Sequence, residues 1–517
     1  MARQTTSKSA ASARPAPAQA KRGAATRTAG RAAGREGLSP EQFGASIEWL
    51  GDHHDESIAR LVEWLKIPSI STQPAHNADC QRAAAFATMQ LTECGLTAEL
   101  CSTGTKAKPG HPIVMATTPG DADYTGPHVL FYGHYDVQPC DPLDLWESPP
   151  FEPVIREARK GERGGTRIIA RGAVDDKGQV MMFIEALRAV QAATGKPAGG
   201  IKLTVMLEGE EESGSANLEP FVMAHRKELA ACDICIISDT GMLDRGAPAI
   251  TYGVRGLAYT EIKLHASNQD LHSGLWGGRC PNPITELARV LAQLHDDDRR
   301  ITIPGFYKDV TPLAKQERAN WSKLKFSARD ALKQIGLPAA ADIGEKGYTA
   351  LERQWARPTA EINGIIGGYT GEGAKTVIPA FASAKVSFRL VANQDPATIT
   401  KLFFKWCQQR TPPGCRWELV DHHGGPGVTC PIDSPHLQTA MQAIELGTGK
   451  KTALIKTGGS IPVAGMLKQR LDLDTIFMGF GLDDDRVHSP NEKFEIACFE
   501  QGARSHAAYL CLLAARH

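Results

Sequence analysis

Four short segments of this chain each carry an apolar run into residues that bind hard cations: Gly133-His134-Tyr135-Asp136, Val174-Asp175-Asp176, Glu210-Glu211-Glu212 and Ser238-Asp239. A fifth, Val487-His488-Ser489, lies near the C-terminus. One apolar run ending in charge is ordinary. Several together, supplying two histidines and a surplus of carboxylates, imply one site assembled at the rim of a sheet. In open α/β sheets, ligands gather beyond the carboxyl ends of the strands.

The runs at 112–116, 128–132, 201–207 and 234–237 are short, nearly continuous in apolar residues and rich in β-branched ones. That is the pattern of strands buried on both faces. Helical spacing at 58–65, 83–94 and 179–194 alternates with them, which argues an α/β layered fold. From about 250 the pattern changes. Residues 256–266 and 382–391 alternate as half-exposed strands do, and helices at 283–294 and 397–409 follow them, the second opened by Asp395-Pro396. We therefore expect a smaller α+β domain at 253–424, with 301–358 as a helical elaboration, inserted into a larger α/β domain formed by 41–252 and 425–517. A helix at 436–446 and a strand at 474–478 complete the larger domain. At 517 residues the chain is long enough for two cores.

Residues 1–37 hold eight basic residues against Glu36 alone, a charge of +7, so the neutral total leaves about −7 for the rest. Such a segment buries too little apolar surface to fold, and residues 1–40 are expected to be a disordered basic tail. Its composition also suits a transit peptide or an arm that binds polyanions. No basic stripe or nucleic-acid motif follows it, so no nucleic-acid partner is expected. No apolar stretch approaches the ~18–20 residues that cross a bilayer, so no membrane partner is expected either. The 12 cysteines are scattered, as in a reducing cytoplasm. Cys232-Asp233-Ile234-Cys235 has redox-motif spacing but reads as part of a buried strand.

Each cation-binding segment has a bland reading taken alone. His134-Tyr135-Asp136 could be a surface hydrogen-bonded pair, Asp175-Asp176 a helix cap, and Glu210-Glu211-Glu212 a solvated charge run. Together they favour a metal site. The two-residue period of a strand puts His134 and Asp136 on one side, suiting a metal-bound imidazole steadied by a carboxylate. Imidazole and carboxylate without clustered thiolate favour Zn or Mn.

Six longer stretches carry a resemblance: Phe131 to Pro139, Arg171 to Gly178, Leu207 to Ser215, Asp270-Leu-His-Ser-Gly274, Gly458-Gly-Ser-Ile-Pro-Val463 and Val487-His-Ser-Pro-Asn-Glu-Lys493. In order and spacing they resemble metallopeptidase family 20, in particular its carnosinase-like branch of cytosolic nonspecific dipeptidases. Glu210 departs from the apolar residue or Asp usual in relatives. The resemblance implies a di-zinc peptidase-type catalytic domain with an inserted ferredoxin-like lid that also dimerises. It implies two divalent ions per subunit, bridged by Asp175, one also held by His134 and Asp239, the other by Glu212 and His488. Glu211 matches the general base and Asp136 the acid that orients His134; the Asp175–Asp176 peptide is expected to be cis. His272 matches a lid histidine that acts in the partner's site of a homodimer. Thr376, Arg389 and Ser460 match contacts to a small peptide substrate. An arginine on the core side of an alternating strand is costly unless paired, and a substrate carboxylate would pair Arg389. The resemblance implies a metal-dependent dipeptidase; the rivals are an N-acyl-amino-acid deacylase or carboxypeptidase of the same superfamily and, more distantly, a non-catalytic metal-binding scaffold.

Overall fold

The computed structural model describes residues 40–515, so the basic tail expected to be disordered lies, Pro40 apart, outside the described residues. Among them, nine strands form one sheet. Its centre is parallel: Leu203–Glu208, Val129–His134, Ile234–Ile237 and Thr475–Phe477 lie side by side. Thr97–Cys101 and Ile113–Thr118 extend one side antiparallel, while Ala249–Val254, Val428–Thr429 and Ala453–Thr457 complete the other.

Strand residues point alternately to the two faces, and both faces are covered. In Val129–His134, Val129 and Phe131 join the core under the helices Lys177–Thr194 and Ile496–Ala515, while Leu130 and Tyr132 join a second cluster with Phe221, Val222 and Leu467. Covering both faces explains why these strands read as unbroken apolar runs. All four parallel strands end at the same rim, the prerequisite for a site built from their following loops.

A separate four-stranded antiparallel sheet runs Thr359–Gly367, Phe381–Leu390, Gly256–His265, Arg416–Gly425. Gly256–His265 alternates buried and half-buried residues throughout. Ala258, Ile262, Leu264, Val386, Phe388 and Leu390 pack with Phe403 and Trp406 of the helix Pro396–Gln408 as an independent core. Asp395 caps that helix, its Oδ2 accepting from Thr398 N at 2.8 Å. The chain enters this sheet after Ala249–Val254 and returns to Val428–Thr429, which pairs with it through Gly253↔Thr429 and Val254↔Val428. The two crossings touch. A Cβ on Gly256 would lie 2.6 Å from Gly427 N, so only glycine allows the approach.

His422 lies in the strand Arg416–Gly425 and faces Glu261 at 3.3 Å. One local expectation changes. Arg389 sits on the face opposite the helices, because Phe388 and Leu390 on either side of it point into the core. Cys232 and Cys235 are buried, Cys235 inside Ile234–Ile237, as the strand reading requires.

Candidate metal centre

Each donor stands where a strand or its following turn runs out. His134 ends Val129–His134; Asp239 follows Ile234–Ile237; Glu211 and Glu212 open the turn Glu211–Ser213 after Leu203–Glu208. Asp175 precedes the helix Lys177–Thr194, and His488 comes after Thr475–Phe477 with φ +60°, a left-handed conformation that non-glycine residues rarely adopt. The Asp175–Asp176 peptide is cis.

The donors converge in two groups that share Asp175. Oδ1 of Asp175 lies 3.1 Å from Nε2 of His134, which is 3.9 Å from Oδ2 of Asp239. Oδ2 of Asp175 lies 2.9 Å from Nε2 of His488, itself 3.4 Å from Oε2 of Glu212. Within each group the donor atoms lie within 4.8 Å of one another, the spacing a single ion would need.

Neighbouring groups fix these donors. Nδ1 of His134 donates to the main-chain carbonyl of Asp136 at 3.1 Å, with the Asp136 carboxylate slightly farther at 3.4 Å. The other oxygen of that carboxylate accepts from Glu212 N at 3.0 Å, so Asp136 ties the two groups together. Asp176 does not cap its helix; its carboxylate accepts from His134 N at 3.2 Å. Glu210 is structural: it accepts from His111 N at 2.9 Å and Asn217 N at 3.1 Å, holding the loop from which Glu211 and Glu212 project.

The electrostatics are those of crowded acids and imidazoles. Burial, reinforced by Asp175, pushes Asp239 up to about 7. Burial, eased only in part by His134, lifts Glu211 well above the carboxylate range. Burial also opposes ionisation of Asp175, yet the imidazoles of His134 and His488 beside it hold it below its ordinary value. Bonds to Asp175 and Glu212 raise His488 to about 10. Among the described residues, Nε2 of His134 and Oδ1 of Asp136 are buried without a hydrogen-bond partner. An orphaned nitrogen beside crowded carboxylates costs free energy that a cation would recover, so the donor set fits a divalent ion.

The remaining candidates lie elsewhere. Nη1 of Arg389 donates to Ser460 Oγ at 2.8 Å, joining the four-stranded sheet to the loop before the helix Pro462–Leu471. His272 lies on a two-stranded ribbon, Leu271–His272 with Val377–Ile378, and Thr376, just before its second strand, accepts through its carbonyl from Ser273 N at 3.1 Å. His272 is exposed, its Nδ1 accepting from Gly274 N, with no bond to either donor group among the described residues.

The family model described as Peptidase family M20/M25/M40 matches residues 130–511. The chain belongs to this peptidase family. As an M20 member it is a hydrolase of peptide bonds, in a family of metallopeptidases that use divalent metal. It is 31% identical to the Cys-Gly metallodipeptidase DUG1 of Saccharomyces cerevisiae, across 87% of this chain and 94% of that one. It is 29% identical to the human Beta-Ala-His dipeptidase, across 91% and 92%. Among solved structures, the di-peptidase Dug1p of Saccharomyces cerevisiae superposes with a TM-score of 0.76 at 29% identity, covering 92% of this chain and 99% of that one. The M20 fold, an α/β catalytic domain with a lid, is thus the fold seen here.

Sequence reasoning missed several supports of the M20 site. Buried Glu492 accepts from Gly172, Val174 and Asp175 main-chain N–H groups at 2.9–3.1 Å and from Arg171, fixing the turn that presents Asp175. Nε2 of Gln138 donates to Oε2 of Glu212 at 2.7 Å. Both lie inside the motifs quoted above, so their signal was proximity to donors.

Proposed function

We propose that the chain is a two-metal dipeptidase. One observation carries this: Asp175 offers one carboxylate oxygen to each of two donor groups. His134 and Asp239 would hold one ion, Glu212 and His488 the other, with Asp175 between them. The donor set suits Zn or Mn. When bound, such ions acidify water and polarise a carbonyl.

The rest falls to the chain. Glu211, whose burial makes its ionised carboxylate a stronger base than an exposed one, takes a proton from water as water attacks the peptide carbonyl and returns it to the departing amine. Asp136 orients His134 and, through Glu212 N, keeps the donor groups in register. Arg389 and Ser460 receive the substrate's terminal carboxylate, with Thr376 as a further contact. Residues 253–424 act as the lid. His272 would steady the developing oxyanion in the partner subunit's site of a homodimer. Its exposure and its lack of any bond to its own donor groups among the described residues support a role in trans. The edge strand Thr359–Gly367 supports a dimer too: Ile365 and Ile366 there are 57% and 58% exposed. Among the described residues, no helix is long and apolar enough to cross a membrane. All 12 cysteines are free thiols, consistent with a cytoplasmic enzyme.

The test is a panel of Ala-Ala, Cys-Gly, β-Ala-His and N-acetyl amino acids with Zn- or Mn-reconstituted protein, products read by mass. Dipeptide cleavage is expected. Turnover of N-acetyl amino acids alone would make the chain a deacylase, and turnover of nothing would overturn the catalytic reading.

A further inference from the structure

A second guanidinium stands behind the Arg389–Ser460 pair. Arg255 lies at the crossing between the strands Ala249–Val254 and Gly256–His265. Its Nε donates to Gly458 O at 2.9 Å and its main-chain N–H donates to Gly459 O at 3.0 Å. One residue therefore grips both carbonyls preceding Ser460. A Cβ at position 458 would lie 2.9 Å from Nη2 of Arg255, so glycine there lets the guanidinium lie against the loop.

Arg255 and Arg389 line one cavity of about 680 Å³ with Arg353, Arg357, Glu345 and Glu361. Its other arginines include two that are neutralised: Arg357 pairs with Glu345 at 2.6 Å, and Arg353 pairs with Asp342. Arg255 and Arg389 have no carboxylate within ion-pair distance among the described residues; Glu361 acts on Arg255 only from farther away. Burial, then the like charge of Arg389, brings Arg255 down to about 10. Two half-buried guanidinium groups without an acid are a cost that an anion between them relieves.

We propose that Arg255 is a positioning residue for the carboxylate end of the substrate: it sets the Gly458-Gly459-Ser460 turn so that Ser460 meets Arg389, and its charge makes the pocket selective for a free α-carboxylate. This rests on the reading of Arg389 and Ser460 given above. It needs only a carboxylate, which dipeptides and N-acyl amino acids share.

The experiment compares wild type, Arg255→Met and Arg255→Lys on Ala-Ala and Ala-Ala amide, with metal content measured alongside. Arg255→Met should raise KM for Ala-Ala about tenfold or more, leave kcat within about threefold, and change kcat/KM for the amide less than about twofold. Arg255→Lys should recover part of the loss. Gly458→Ala, which crowds the guanidinium without removing its charge, should raise KM in the same direction. In the Glu211→Gln background, calorimetry with N-acetylalanine and its amide reads the same discrimination without turnover, so a failed dipeptidase assay leaves this arm decisive. Equal losses on acid and amide, a fall in kcat at constant KM, or unchanged acid-over-amide preference would overturn the proposal.

Discussion

Asp175 turns one carboxylate oxygen to His488, 2.9 Å from Nε2, and keeps the other for His134. On the proposed two-metal reading a carboxylate placed this way would serve two ions at once, and the metal content should say so. Asp175→Ala is expected to lose both ions, whereas His134→Ala and His488→Ala should each lose about one of about two. Mass-spectrometric metal counting on the purified variants checks this. If Asp175→Ala retains a full complement, the shared-ligand reading is wrong.

Glu211 is expected to separate chemistry from metal binding. Glu211→Gln should lower kcat by about 10²–10⁴-fold while metal content stays at the wild-type level. Loss of an ion in that variant would make Glu211 a ligand instead of a base.

Stability of the metal-free protein should fall as pH rises. Asp239 titrates near 7 in the native chain against 3.8 when exposed, so between those values the native state holds a proton the unfolded state has lost. His488, held up at about 10 against 6.5, contributes stability that is complete below pH 6.5 and fades toward pH 10. Divalent ions displace those protons, so the rise in Tm on adding Zn or Mn should be larger at about pH 8 than at about pH 5.5. Thermal melts with chelator and with metal at both pH values measure it; an equal or smaller rise at the higher pH contradicts the assignment of these groups to the centre.

His272 should act across subunits. His272→Ala and Glu211→Gln would each be inactive alone, and a refolded equimolar mixture should regain about a quarter of wild-type activity, because heterodimers carry one complete site. A mixture that stays inactive while sedimenting as a dimer would confine His272 to its own subunit.

The parallel centre of the fold was legible because burial on both faces leaves an unbroken apolar run; Ile234–Ile237 matches its expected bounds. His134, Glu212 and Asp239 were legible for the same reason, since each follows such a run, whereas Asp175 and His488 were read from their motifs. Among the elements that escaped, three show why. Thr359–Gly367 is an edge strand with exposed isoleucines, so its pattern does not alternate. Ile496–Ala515 is buried on nearly all sides and has no polar stripe to mark a helix. Ala453–Thr457 is half-buried at four of its five positions. Arg389 was found from its motif but assigned the wrong face, because alternation gives the period of a strand and not which phase meets the core. Arg255 had no local signal: its partners, Gly458 and Gly459, are two hundred residues away.

Because Gly253 pairs with Thr429 and Val254 with Val428, the whole excursion from 256 to 425 begins and ends on adjacent rungs of one ladder. The parent sheet would close across that point with nothing more than a tight turn. Topologically the four-stranded unit is a cassette, and a version of the chain lacking it should still fold and bind metal and, on the proposed function, leave its substrate's carboxylate unheld.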